Sequence, residues 1–148
     1  MNTSISRFTR KLLIALLPVA LLAMTAQPVS AARYWIDGSD PYATGCANSA
    51  VAVFSTWTGS GWLTLKFSRG CITAWAEFNC RSTSGCTNFT LWAQRNDGSS
   101  ATVWVTWPTT VPNGTTIYTR QLFDGTGLFT SACAQGYFGA PKFCTWAF

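Results

Sequence analysis

The chain has 148 residues, which is enough for one domain and not for two. Ten basic residues against five acidic residues give a formal net charge of +5. The chain contains no histidine, which excludes Ser-His-Asp and Cys-His catalytic arrangements.

Residues 1–31 have the pattern of a secretory signal peptide. Three basic residues precede the apolar run Leu12 to Ala23, and small residues follow at positions 29–31. The run is too short to cross about 30 Å of hydrocarbon, and Pro18 interrupts it. We therefore predict a signal peptide over residues 1–31, a single secreted β-domain over 32–148, and no stable membrane anchor after cleavage.

Removing this segment changes the charge argument. Three of the ten basic residues lie in it, so the mature chain keeps seven against five acids, a net charge of +2. These charges are scattered, whereas a phosphate-binding surface needs clustered cations. The sequence therefore predicts no nucleic-acid partner.

The mature part shows short alternating runs separated by turn residues, which is the signature of strands. In Trp62 to Ser68, for example, Leu63, Leu65 and Phe67 share one face. We predict an all-β fold, a small antiparallel meander of about six to eight strands closed as a barrel or sandwich. The predicted strands cover 51–57, 62–68, 72–78, 87–95, 101–107, 115–122 and 143–147, with an irregular loop over 33–45 and loop-like residues at 124–127 and 136–141.

Six cysteines in a short exported chain indicate a disulfide framework. Zinc is less favoured, because there is no histidine and no C-x-x-C pair. The sequence alone does not select a pairing, but joining neighbours costs least in loop closure. This favours the pairs Cys80 with Cys86, Cys133 with Cys144, and Cys46 with Cys71.

Three of the eight tryptophans, Trp62, Trp75 and Trp92, each share a predicted strand face with polar neighbours. If their strands are adjacent, the rings form one outward row that can stack on the apolar faces of pyranose sugars or contact a protein. A second layer covering that face would produce the same pattern. Burial or partial burial is the favoured of these two interpretations.

Asp37 and Asp40 lie close together in the N-terminal loop. They are candidates for the paired carboxylates of a small glycan hydrolase, or for calcium ligands that lack the EF-hand spacing. Asp-Gly and Asp-Pro are also turn formers, and the turn role is favoured. The sequence indicates no catalytic residue, no metal site and no cofactor.

Two stretches, 37–47 and 65–76, resemble the YjfA-like family of exported bacterial, mainly actinobacterial, proteins of unknown function. They carry its D-G-x-D-P-x-x-T-G-C and S-x-x-C-x-T-x-W-A patterns. The resemblance supports pairing Cys46 with Cys71 and implies sensing or binding, with no catalytic residues to transfer. The loop between Cys80 and Cys86 and the dense tryptophans depart from the pattern.

Together these features predict a secreted, non-enzymatic β-domain that binds an extracellular ligand, either a glycan or a protein, at the cell surface or in the medium. The alternatives are a carbohydrate-binding module that uses exposed tryptophans and a small hydrolase that uses Asp37 and Asp40.

Overall fold

The computed structural model describes residues 34–137 and 139–148. The predicted signal peptide over residues 1–31 lies outside this range. Within the described residues, no helix has the length and apolar character needed to cross a membrane.

The described chain is built from strands, joined by turns and two short 3-10 helices at Tyr34–Ile36 and Cys46–Ser49. The strands, numbered in chain order, are β1 (Ala50–Trp57), β2 (Gly61–Ser68), β3 (Thr73–Cys80), β4 (Phe89–Arg95), β5 (Ser100–Val105), β6 (Thr116–Tyr118), β7 (Leu122–Phe123), β8 (Thr130–Gly136) and β9 (Lys142–Cys144).

The strands form two antiparallel sheets that pack face to face, so the fold is the sandwich rather than the barrel. Sheet 1 has the order β1-β2-β3-β6, with β7 also paired to β3, and sheet 2 has the order β5-β4-β8-β9. The predicted meander holds within β1 to β3. Beyond β3 the chain crosses to sheet 2 for β4 and β5, returns to sheet 1 for β6 and β7, and crosses again.

The core lies between the sheets and follows the alternation of the strands. Leu63 and Leu65 of β2 and Leu91 and Ala93 of β4 belong to this core, and all four side chains are fully buried. Further core side chains come from β3 and β8, namely Ala74, Ala76, Phe78, Ala132 and Ala134. The predicted inward face of β2 is therefore correct.

Ile72 departs from the prediction that placed it on the same strand face as Ala74. The strand begins one residue later, and Ile72 has a φ of 55°. Its backbone N–H donates to the carbonyl of Ser68 and closes the turn between β2 and β3. A β-branched residue in this left-handed region is strained, so the turn geometry overrides the local preference.

Residues 34–49, called the N-terminal segment from here on, pack on the outer side of sheet 1 over β3, through the fully buried side chain of Gln121. The Gln121 amide donates to Ser39 Oγ (2.8 Å) and Thr44 Oγ1 (3.0 Å). Its carbonyl oxygen accepts from Thr73 Oγ1 of β3 at 2.7 Å. The irregular loop predicted over 33–45 is thus fixed onto the sheet by side-chain hydrogen bonds.

Three disulfides cross-link the fold, in the neighbour pairing that the sequence favours. Cys46–Cys71 ties the N-terminal segment to the turn that precedes β3. Cys133–Cys144 joins β8 to β9 directly across the strand pair. Cys80–Cys86 closes the short loop in which the chain leaves sheet 1.

A buried arginine joins the two sheets at one end of the sandwich. Arg95 of β4 is only 2 % exposed. Its guanidinium donates to Asp37 (2.9 Å), to the carbonyl of Phe123 in β7 (2.8 Å) and to both carboxylate oxygens of Asp97 (2.8 and 3.0 Å). Burial by itself would lower the pKa of Arg95. The hydrogen bonds to Asp97 and Asp37 have the larger combined effect, so the pKa of Arg95 is raised.

Replacing Arg95 with alanine should lower the free energy of unfolding by about 3–5 kcal/mol, because the partly buried carboxylates of Asp37 and Asp97 lose their counter-charge and the carbonyl of Phe123 loses its donor. Urea denaturation followed by tryptophan fluorescence measures the change. Arg120 is the matched control, since its ion pair with Asp40 is largely exposed and Arg120→Ala should cost less than about 1 kcal/mol. Equal losses in the two variants would contradict the structural role of Arg95.

The carboxyl group of Asp124 is buried, and its Oδ1 accepts a hydrogen bond from Thr130 Oγ1 at 2.8 Å. Burial raises the pKa of Asp124 from 3.8 to about 6. The folded protein therefore holds this proton more tightly than the unfolded chain does. This carboxyl should make stability fall as the pH rises from about 4 to 6 and then level off.

Asp124→Asn should remove this fall, because the amide stays neutral and its oxygen still accepts from Thr130. We expect the variant to be about 1–3 kcal/mol more stable than the parent at pH 7 and close to it at pH 4. Urea midpoints measured across this pH range test the expectation. A variant that retains the parent's full pH dependence would show that another group is responsible.

Candidate functional site

Trp62, Trp75 and Trp92 do not form the outward row that the sequence offered as the less favoured of two interpretations. Trp62 of β2 and Trp75 of β3 belong to sheet 1, whereas Trp92 of β4 belongs to sheet 2. The row required β3 and β4 to be neighbours, but the chain between them carries β4 across to the other sheet. The three rings therefore do not share one face.

Trp75 is fully buried although it points to the outer side of sheet 1. Its indole N–H donates to Glu77 Oε1 at 3.0 Å, and the same oxygen accepts from the hydroxyl of Tyr42 at 2.8 Å. Tyr42 belongs to the N-terminal segment, which forms a second layer over β3. The covering layer considered as the alternative from the sequence thus accounts for Trp75.

Trp62 lies at the end of the hairpin formed by β1 and β2, with 46 % of its surface exposed. It is paired directly with Trp57 across the hairpin, and the ring centroids are 5.4 Å apart in an edge-to-face arrangement. The two rings therefore form an exposed aromatic pair on sheet 1, on the opposite sheet from Trp92.

Trp92 lines an open groove of about 440 Å³ on the outer face of sheet 2. We call this the sheet-2 groove. It combines aromatic rings with side chains that carry hydroxyl and amide groups. Its lining residues are Thr90, Trp92, Gln94, Ser100, Thr102, Trp104, Gln135, Gly136 and Tyr137.

The strand register explains how the two tryptophans of the groove come together. Thr90 pairs with Trp104 and Trp92 pairs with Thr102, so the rings of Trp92 and Trp104 are diagonal neighbours on β4 and β5. Trp104 is 67 % exposed, and Trp92 is half-buried. Among the described residues, the hydroxyls of Thr90 and Thr102 have no hydrogen-bond partner. The groove thus offers two rings flanked by free hydroxyl groups.

Lys142 of β9 completes this face. It pairs with Gln135 of β8, which places it on the same side of the sheet as Trp92. Its ammonium lies 5.2 Å from the centroid of a Trp92 ring, within the range of a cation–π contact. The Cys133–Cys144 disulfide lies beside Trp92 on the same face.

Sequence reasoning missed Trp104, Gln135, Tyr137 and Lys142 as neighbours of Trp92. The sequence did contain a signal for Trp104. Two predicted strands flank the turn at residues 96–99, which makes them neighbours, and Trp104 shares a strand face with the polar residue Thr102. No comparable signal marked the groove residues from β8 and β9, since the chain beyond Phe123 loses alternation.

The structure assigns Asp37 to the Arg95 cluster. Both carboxylate oxygens of Asp37 accept from the guanidinium, and Oδ1 also accepts from the backbone N–H of Phe123. Asp37 thus joins the N-terminal segment to β4 and β7.

Asp40 lies in a turn, as its Asp-Pro sequence favours. Oδ1 accepts from the backbone N–H groups of Tyr42 (2.9 Å) and Ala43 (3.1 Å), and Oδ2 is 3.3 Å from the guanidinium of Arg120. The backbone N–H of Ala43 is the main cause that lowers the pKa of Asp40. Both aspartates therefore have local structural partners. In the described part of the chain, no group of three or more Cys, Asp or Glu residues could hold a metal ion.

Asp40 and Glu77 are linked by two tyrosines in ring contact, each of which hydrogen-bonds one of the two carboxylates. The rings of Tyr42 and Tyr118 are 4.6 Å apart, and the Tyr118 hydroxyl lies 3.4 Å from Asp40 Oδ2. Burial and the hydrogen bond to Glu77 raise the pKa of Tyr42 to about 12. This cluster fastens the N-terminal segment onto β3.

Comparison with known protein families identifies a match. A family model described as "Protein of unknown function (DUF2690)" covers residues 35–133. This range begins near the start of the described residues and ends at Cys133 in β8, and it includes Trp92 and Trp104. No curated protein and no solved structure matches the chain significantly.

Glu77→Ala should destabilise the domain by about 1–3 kcal/mol, because the buried indole N–H of Trp75 loses its acceptor. Glu77→Gln keeps an acceptor oxygen and is the matched control, with a smaller loss. The Gln variant should also lower the pKa of Tyr42, since the neighbouring negative charge is removed. Denaturation and NMR titration of tyrosine ring carbons measure these effects, and an unchanged Tyr42 titration would contradict the contact.

Proposed function

The chain belongs to this DUF2690 family, and on that premise we propose that it is a secreted, non-enzymatic domain that binds a glycan in the sheet-2 groove. The family description assigns no activity, so the proposal rests on the chemistry of the groove. The single observation that carries it is the diagonal pair of Trp92 and Trp104 beside unpartnered hydroxyl groups, on a sheet face over which the described residues leave an open groove.

This combination of groups suits a sugar. A pyranose has an apolar face formed by its C–H bonds, which stacks on an aromatic ring, and a rim of hydroxyl groups that donate and accept hydrogen bonds. The groove supplies rings from Trp92 and Trp104 and polar partners from Thr90, Thr102 and Gln135. Ligand sites in proteins commonly combine aromatic lining with a few polar groups that fix orientation.

The cysteine chemistry supports secretion. Three disulfides and no free cysteine among the described residues fit an oxidising environment outside the cytoplasm. The basic, apolar and small-residue pattern over residues 1–31 is the second support, because it is the form of a signal that the export machinery removes.

The contacts of Asp37 and Asp40 support binding over hydrolysis. Hydrolysis of a glycosidic bond needs one carboxyl as acid and another as base or nucleophile, both facing the substrate. Asp37 is engaged by Arg95, and Asp40 by backbone N–H groups and Arg120. Neither side chain lines the sheet-2 groove.

The exposed pair of Trp57 and Trp62 favours a protein partner as the second candidate. Aromatic side chains are enriched at the centres of protein interfaces, and this pair lies at an exposed hairpin end on the opposite sheet from the groove. The two candidates therefore depend on different tryptophans, which allows one set of variants to separate them.

The test is retention on insoluble chitin, cellulose and purified bacterial cell wall. We expect the protein to bind at least one of these glycans, and Trp92→Ala and Trp104→Ala each to weaken that binding about tenfold or more. Trp62→Ala is the matched control, because it removes an exposed ring of similar accessibility from sheet 1, and it should bind like the parent.

Two outcomes would overturn the proposal. If Trp62→Ala is no longer retained on the glycan and both groove variants are retained, the binding site lies on sheet 1. Failure of the parent to bind any of the three glycans would remove the glycan assignment. Unfolding midpoints close to that of the parent must accompany each variant, so that a loss of binding is not a loss of fold.

A further inference from the structure

We infer that the glycan bound in the sheet-2 groove is acidic, with a sugar carboxylate that pairs with Lys142. This inference rests on the proposed function and adds the charge of the ligand to it. It follows from where Lys142 lies and from the other side chains on the same face.

The ammonium group of Lys142 lies over the Trp92 ring, on which the proposed sugar would stack. It lies 5.2 Å from the centroid of a Trp92 ring, reaching there from β9 across β8. A sugar stacked on Trp92 would therefore contact the ammonium or displace it. In either case Lys142 belongs to the groove's ligand surface.

The described strands of sheet 2 place no negative charge on the face around Lys142. Of the side chains that the described strands β4, β5, β8 and β9 direct outward, only Lys142 is charged. Asp97 lies in the turn between β4 and β5, at the other end of β4 from Thr90, and it is bound to Arg95 at 2.8 Å. The ammonium thus has no carboxylate partner from these strands.

A bound ligand would remove water from this ammonium. Removing water from a charged group is costly unless a new partner replaces the water, and a carboxylate is the strongest such partner. A neutral sugar offers only hydroxyl oxygens, whereas a uronic acid presents a carboxylate on the pyranose ring that stacks. The groove should therefore discriminate between two sugars that differ in this charge alone.

The experiment compares oligogalacturonate with its methyl ester, which has the same pyranose backbone without the negative charges. Titration calorimetry with the full chain, expressed for export and purified from the medium, measures both affinities at low ionic strength. We expect the acid to bind about threefold to tenfold more tightly than the ester, and the difference to shrink in about 0.5 M salt.

Variants of Lys142 assign the effect to this residue. Lys142→Gln should abolish the preference for the acid, so that the acid and the ester bind the variant with equal affinity. Lys142→Arg keeps the charge and should keep the preference. Lys66→Gln is the matched control, because Lys66 lies on β2 of the other sheet, and it should behave like the parent.

The outcomes separate this inference from the proposed function. Equal binding of acid and ester, or a preference that survives Lys142→Gln, overturns the inference and leaves glycan binding in place. Binding of neither compound also overturns it, and retention on chitin that depends on Trp92 would then still support the proposed function. Loss of all glycan binding removes both.

Discussion

The buried guanidinium of Arg95 is the interaction on which the arrangement of the two sheets depends. It extends from β4 of sheet 2 to Asp37 of the N-terminal segment and to the carbonyl of Phe123 in sheet 1. A buried charge is tolerated only when its hydrogen-bonding capacity is filled, and here three separate parts of the chain fill it. Removing any of them would leave part of the hydrogen-bonding capacity of the buried guanidinium unfilled. The ion cluster thus fixes the position of β4, and β4 presents Trp92 on its opposite face.

The sequence was sufficient for those parts of the fold that follow from alternation. Strands β1 to β5 were predicted close to their observed bounds, because their β-branched and aromatic residues alternate with polar ones. Strand β8 was not predicted. Its residues, from Thr130 to Gly136, are mostly small or polar, and they form a strand because β4 and β9 pair with them on both sides. Alternation also could not show that the chain changes sheets after β3.

The groove was only partly predictable for the same reason. Trp92 was identified from its polar neighbours on a strand, which is a local property. Its actual companions come from β5, β8 and β9, and only the pairing of strands brings Trp104 and Lys142 near it. Trp75 has the same local pattern as Trp92 and is fully buried, because the N-terminal segment covers it. Distant parts of the chain determine whether an outward-facing ring is covered, and a local sequence pattern carries no information about them.

The position of β8 has a consequence for the way the domain is completed during synthesis. Ribosomes make the chain from its N-terminus, so β4 and β5 exist as a hairpin before residues 130–136 have appeared. Until then, the strand edge of β4 that later binds β8 has unsatisfied amides and carbonyls and is open to pairing with any extended polypeptide nearby. Sheet 2 is therefore completed late, by addition of β8 to the free edge of β4 and of β9 to β8, and Cys133–Cys144 then links these two strands covalently. A nascent chain stalled before β8 would be an incomplete sandwich with an unpaired strand edge on β4, and it would be most prone to association with other chains at that stage.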